Sequence, residues 1–148
     1  MSRYIKTAQA VRDNSGSLLD AALAVQAIDG WLSREAMDAV SVAYDVPVAQ
    51  FYEMASFYSM LRFAPAGKTV IQVCRNAPCH VAGAKETIAA FEKALGIGMG
   101  ETAADGSYTL EYVECQGQCQ ASPSVVINGT LHTDVTADKV PGLLKARA

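Results

Sequence analysis

The chain has 148 residues, 51% of them apolar, enough for one ordinary domain or two small ones with a real hydrophobic core. Twelve basic against fifteen acidic residues leave a formal charge of −3 with no block of like charge, so there is no electrostatic footprint for nucleic acid or an anionic membrane surface. The opening MSRYIKTAQAVRDNSGS has no apolar h-region or small-residue cleavage site, and the longest greasy stretch, LLDAALAV, is short and contains Asp20, so a cytoplasmic chain without membrane insertion is expected.

Residues 1–17 are polar, lack period and read as an N-terminal tail. A first helix opens at Ser17, with Asp20 in its first turn and Leu19, Ala22, Leu23 and Gln26 along one face, and stops at Gly30. A second starts with Ser33 as N-cap, places Glu35 where the positive dipole end favours it, and ends before Pro47. Pro47 suits the first turn of a third helix, whose apolar stripe runs Phe51, Met54, Ala55, Tyr58. From about Gly67 the texture changes: KTVIQVC reads as a β-branched strand that delivers Cys74 at its end, and Cys79 heads a helix running to about Leu95. After GIGMG, the Asp105-Gly106 turn leads into the strand SYTLEYVE and on to Cys115. SVVI and TLHT flank Asn128-Gly129, a strong hairpin signal, and TADKVPGLLKA closes as a helix shortened or bent at Pro141. The class is α+β, with a helical domain over residues 18–66 followed by a β-α-β-β-β-α unit over 67–148.

The four cysteines fall in two pairs, CxxxxC at 74 and 79 and CxxxC at 115 and 119, each in a loop just after a predicted strand. Thiols of a cytosolic chain stay reduced, so paired loops point to metal before disulfide, and soft thiolate sulfur selects zinc, copper(I) or an iron–sulfur centre. Zinc knuckles place ligands two residues apart, whereas loops of four and three residues suit a [2Fe–2S] unit, which takes two cysteines per iron and needs backbone N–H donors for its sulfides. Gly117 lets the backbone come close, and a helix beginning at Cys79 would aim its positive end at an anionic cluster. A zinc-stabilised interaction module stays open, as do unrelated thiols or disulfides; a dithiol redox enzyme lacks a CxxC.

VCRNAPC, the helix after it with Gly83, the run GETxxDGxYTLEYVECxGxCxxxP from Gly100 to Pro123, the Asn-Gly hairpin and TADKVPGLL together resemble the 24-kDa-type [2Fe–2S] subunit of NADH dehydrogenases. LLDAALAVQAIDGWLSREAMDAVSVAYDVPVAQFYEMASFYSML looks like the helical half of the same family, so the resemblance spans about residues 18–145. It implies a thioredoxin-like ferredoxin domain behind a helical domain, with Cys74, Cys79, Cys115 and Cys119 as ligands of one [2Fe–2S] cluster and no catalytic residue. The implied partner is the FMN- and NADH-binding iron–sulfur subunit (51-kDa type) of complex I, of an NAD-reducing hydrogenase or of a molybdenum formate dehydrogenase, with the catalytic subunit of a molybdenum formate dehydrogenase or of a hydrogenase as a further implied partner. The short chain looks most like the gamma subunit of the soluble, NAD-dependent formate dehydrogenase. It departs from the family in having Gln116 after the third cysteine and Ser122-Pro123 where Ala-Pro is frequent, changes that bear on polarity around the cluster.

Arg75 and Asn76 lie inside the first loop and either offset cluster charge or are simply solvated. Pro123 begins a predicted strand, an edge position open to proline, and stands where thioredoxin-like folds commonly carry a cis-proline; both isomers stay open. His80 adjoins a ligand, yet four cysteines complete the set, so it reads as a surface histidine or one packed beside a ligand. GIGMG follows a helix rather than a strand and lacks GxGxxG spacing, so it reads as a helix end. The aromatics of FYEMASFYSMLRF serve the core or a partner surface, and the pairs Glu35/Asp38 and Glu92/Lys93 read as solvated helix faces.

Overall fold

A computed structural model describes residues 2–146, which divide into two compact units meeting in sequence at Pro65 and Ala66. The first holds four helices: α1 (Arg3–Asp13), α2 (Leu18–Asp29), α3 (Arg34–Tyr44) and α4 (Val48–Phe57). Local chemistry explains the ends. Ser17 and Asp20 form a reciprocal capping box at the start of α2, Gly30 ends it in the left-handed conformation, and Ser33 caps α3 by accepting from the Ala36 N–H at 3.1 Å. Pro47 sits one position before α4 and not within it.

α1 corrects the reading of residues 1–17 as a tail. Tyr4 and Ala8 are buried and Val11 packs against the same core, an i, i+4, i+7 stripe that small and polar neighbours dilute in the sequence. The helix is also tied by polar contacts: Arg3 pairs with Asp29 at 2.6 Å, Tyr4 donates to the same carboxylate, and Arg12 donates to the Ala43 carbonyl at 2.6 Å. The core of this unit gathers Val25, Leu32, Val40, Phe51 and Leu61 with a set of alanines that lets helices approach closely. Leu23, expected on the inner face of α2, is 38% exposed, because the buried face is Ala21, Ala22, Val25 and Gln26. In α4, Phe51 and Ala55 are buried while Tyr52 and Phe57 face solvent.

The second unit is a five-stranded sheet in the order β2-β3-β1-β4-β5, built from β1 (Thr69–Cys74), β2 (Glu101–Thr102), β3 (Tyr108–Val113), β4 (Val125–Ile127) and β5 (Thr130–His132). β1 pairs parallel with β3 and antiparallel with β4; β2 and β5 add antiparallel edges. The short strand β2 has no counterpart in the sequence reading, because two exposed residues are too few to show a period. Residues at alternate positions of β1 and β3, Ile71, Val73 and Leu110, join Val125, Ile127 and Phe91 of α6 (Ala84–Leu95) in a core completed by Val135 and Val140. Asn128 and Gly129, both at positive φ, close the β4–β5 hairpin as their sequence predicts, and Asn128 Oδ1 also accepts from the Val70 N–H at 2.8 Å. Pro141 falls in the first turn of α7 (Val140–Lys145), where proline is tolerated.

The single helix expected from Cys79 to Leu95 is two. α5 (Ala77–Val81) ends before Gly83, whose φ of +99° turns the chain and caps α6. Cys79 therefore lies in the middle of a five-residue helix, and no long helix aims its positive end from this residue. Glu92, read as a solvated side chain, accepts from the Met99 N–H at 3.1 Å and folds the GIGMG segment back onto α6. Among the described residues no helix is long and apolar enough to cross a membrane.

The capping box makes a measurable prediction. Hydrogen bonds from Ser17 hold the Asp20 carboxyl below its usual pKa, so its stabilising contribution is complete above the unfolded-state value and is lost as pH falls through the lowered folded-state value. Ser17→Ala should cost about 1 kcal/mol near neutral pH, and the difference in thermal unfolding between wild type and variant should shrink on acidification below that range.

Candidate metal centre

The parallel pairing of β1 and β3 determines where the two cysteine loops leave the sheet. Cys74, the last residue of β1, stands opposite Val113, the last of β3, so Cys115 emerges beside it two residues later. On the other side of β1, the Cys74 N–H donates to the Ser124 carbonyl at 3.2 Å, which brings the segment before β4 to the same edge. That segment contains Cys119, at the start of a short 3-10 turn, and a cis Ser122–Pro123 bond.

Cys74 and Cys79 are 1% and 2% exposed and pack with Ala84 and Val113. The two thiols influence each other's acidity, and the Asn76 backbone favours the Cys74 thiolate. Cys79 Sγ is 3.4 Å from Ser122 Oγ and 3.7 Å from Ser124 Oγ, while the Ser122 hydroxyl also bonds the Cys119 carbonyl at 2.9 Å. Cys115 and Cys119 are exposed, with their sulfurs 3.6 Å apart. The Gly117 N–H donates to Cys115 Sγ at 3.3 Å.

Gly117 has φ of +74°, and a Cβ there would meet nothing within 4 Å. The backbone conformation by itself favours glycine here, and no protein atom crowds the position.

Burial pushes the Cys74 thiol up, since a thiolate loses hydration there. At Cys79 burial acts in the same direction, but hydrogen bonds at Ser122, Ser124 and Cys74 outweigh it and bring this thiol down. The Cys119 thiol is raised first by its hydrogen bond with Cys115 and then by the charge of the same residue; smaller contributions come from Cys79 and Cys74, so the two pairs sense one another.

The side chains named beside the sulfurs in the sequence take different positions. Arg75 pairs with Glu114 at 2.6 Å and lies over the Tyr112 ring. Asn76 contributes its backbone, as N-cap of α5 and donor to sulfur. His80 is exposed on α5. Pro123 is buried just before β4, and the two serines flanking it supply the hydroxyls nearest sulfur. Ser124 has no distinguishing mark in the sequence; its signal is a polar residue that is 1% exposed at the mouth of a strand, which only the fold reveals.

The donor set is four thiols in two pairs at one end of the sheet. Among the described residues no three His, Cys, Asp or Glu side chains surround a single point. Four thiols can serve a tetrahedral ion, which takes four ligands about one centre, or a binuclear unit, which takes two per iron.

The family model for thioredoxin-like [2Fe-2S] ferredoxins matches residues 2–148. The chain is 34% identical over 134 residues to the E subunit of NADH-quinone oxidoreductase from Pseudomonas aeruginosa, covering 90% of this chain and 81% of that one. It is 39% identical over 127 residues to the protein of the same name from Rickettsia felis, covering 86% and 75%. Among solved structures, a chain of an NAD+-reducing [NiFe]-hydrogenase in the air-oxidized state matches with a TM-score of 0.75 at 20% identity, a likeness of fold. That match covers 98% of this chain, which spans about a quarter (24%) of the hydrogenase chain.

Because Gly117 is held in the left-handed region with open space around it, Gly117→Ala should cost about 1–2 kcal/mol. Gly117→Asn should cost clearly less, asparagine being tolerated there. Chemical denaturation of the three proteins ranks them; equal losses in both variants would mean that space and not φ is limiting.

Proposed function

The chain belongs to the thioredoxin-like [2Fe-2S] ferredoxin family, and on that premise we propose that it is an electron-transfer subunit whose cluster is held by Cys74 and Cys79 from one loop and Cys115 and Cys119 from the other. The observation that carries this reading is the arrival of two thiol pairs, one buried and one exposed, at the same end of the sheet. A [2Fe–2S] cluster supplies one-electron chemistry there. The chain's own residues supply the rest. Cys74 and Cys79 exclude water from one side through their packing with Ala84 and Val113. The Asn76 and Gly117 N–H groups and the Ser122 and Ser124 hydroxyls offer hydrogen bonds to sulfur, which stabilise added negative charge. The exposed pair marks the side from which an electron has the least protein to cross.

The proposed partner is an FMN- and NADH-binding iron–sulfur subunit of a larger NAD(H)-linked oxidoreductase. The names of the relatives support this class, since both bacterial proteins are subunits of NADH-quinone oxidoreductases. Within the class we assign the chain to an NAD-dependent formate dehydrogenase, as its gamma-type subunit, on the sequence resemblance alone. A complex I subunit is the second reading, favoured by 34% and 39% identity to those two proteins. The metal of the intact complex decides between them. Molybdenum and formate-dependent reduction of NAD+ support the first assignment, nickel indicates a hydrogenase, and quinone reduction without either metal indicates complex I.

Aerobically purified chain should be reddish brown and contain equal amounts of iron and acid-labile sulfide, two of each per chain; a colourless, folded and zinc-containing protein would overturn the reading. Cys115→Ser or Cys119→Ser should abolish the native visible spectrum. Ser122→Ala should leave the iron content unchanged and lower the midpoint potential, because the hydroxyl 3.4 Å from Cys79 Sγ favours the more negative state. A potentiometric titration that gives the same value for both proteins would remove Ser122 from this role.

A further inference from the structure

The two thiol pairs differ in exposure and in what holds them, and this has a consequence for the chain before its cluster is inserted or after it is lost. Cys74 and Cys79 are almost wholly buried, one in the central strand and the other in α5, packed with Ala84 and Val113. A solute oxidant has no open path to them. Cys115 and Cys119 are exposed, with sulfurs 3.6 Å apart. A disulfide needs about 2 Å between sulfurs, so the pair has only a short distance to close. Most hydrogen bonds of the intervening loop stay within it: Gln116 Nε2 to the Glu114 carbonyl, Gly117 N–H to Cys115 Sγ, and Ala121 N–H to the Gln118 carbonyl. Residues 115–119 take no part in the sheet pairing and none is buried, and the Ser122 hydroxyl on the Cys119 carbonyl is their link toward Cys79.

We propose that Cys115 and Cys119 are a site of oxidative modification: when the cluster is missing, a peroxide converts this pair, and not the buried one, to an intramolecular disulfide. One of the two sulfurs, as thiolate, attacks the peroxide O–O bond, forming an S–O bond and releasing hydroxide. The other then attacks that sulfur as thiolate, forms the S–S bond and displaces the second oxygen as hydroxide. The two thiol protons end on the two hydroxides, so the thiols lose two electrons and hydrogen peroxide becomes two molecules of water. Sites of oxidation follow thiolate access, and access here separates the pairs. The inference rests on the proposed function in one respect, that the same two sulfurs would otherwise ligate a cluster. Its consequence is a reversible block: the disulfide withholds two of four ligands until a dithiol reductant restores them.

The test uses the full chain, stripped of iron by a chelator under reducing conditions, freed of reductant without air, and treated with one equivalent of hydrogen peroxide. Thiols titrated after unfolding should fall from the four of the sequence to two. Trypsin separates Cys74, Cys79 and the Cys115/Cys119 pair into three peptides, cut after Arg75, Lys85, Lys93 and Lys139. After alkylation in denaturant, the peptide 94–139 should be unalkylated and lighter by two hydrogens, while those bearing Cys74 and Cys79 each carry one alkyl group. Reconstitution with iron and sulfide should fail for the oxidised chain and recover fully after dithiothreitol. Cys119→Ser, treated alike, should form no intramolecular disulfide. A Cys74–Cys79 link, a link between the loops, or four thiols surviving the peroxide would each overturn the proposal. Iron and sulfide are measured before stripping: their absence counts against the cluster, whereas the site of peroxide oxidation is read independently on the same sample.

Discussion

Everything that gathers at the candidate centre depends on the parallel pairing of β1 with β3. A parallel neighbour cannot be reached by a tight turn, so α5 and α6 intervene between the strands, with the β2 edge following them. In return the two strands end together: with Cys74 opposite Val113, the loops that follow them start side by side. A register slip of one residue would reverse the faces of Ile71 and Val73 and take them out of the core, so the packing that stabilises the sheet also positions the sulfurs. Antiparallel β4 then brings the third element, the segment with Ser122, Pro123 and Ser124, against the end of β1.

That construction yields a centre with two unlike sides. Cys74 belongs to a strand and Cys79 to a short helix, both inside the protein, and both lie close to backbone or hydroxyl donors. Cys115 and Cys119 belong to an exposed loop whose geometry depends on one glycine at positive φ. Burial favours a neutral thiol and hydrogen bonding favours a thiolate, and at the inner pair the balance falls oppositely: up for Cys74, down for Cys79, whose hydroxyl neighbours outweigh desolvation. The inner side supplies rigidity and exclusion of water, and the outer side supplies access.

The helical unit follows a different logic. Its core is rich in alanine, and its helices are bounded by local signals, Ser17 with Asp20, Gly30 and Ser33. The aromatic run at its end is split between roles. Phe51 is buried, whereas Phe57 is 82% exposed, so the run is neither purely core nor purely surface.

Much of this is present in the residue order. Caps, the Asn-Gly hairpin and the β-branched run into Cys74 are local signals, legible because each depends on side chains a few residues apart. Paired cysteines in post-strand loops likewise announce metal chemistry by residue type and spacing. What stays hidden is non-local or too weak to register. α1 looks like a tail because its stripe, Tyr4, Ala8 and Val11, shows only when a core receives it. Cys79 looks like the head of a long helix because nothing in the order alone shows that Gly83 turns left-handed after five residues. Arg75 has no visible partner in the residue order, and Glu114, 39 positions away, comes within 2.6 Å of it. Covalent neighbours were therefore enough to single out a soft-metal donor set and to mark the starts of α2 and α3 and the end of α2. Which thiol pair is buried, which serines stand beside sulfur and which charges are already paired had to wait for the fold, because each depends on segments that meet through the sheet.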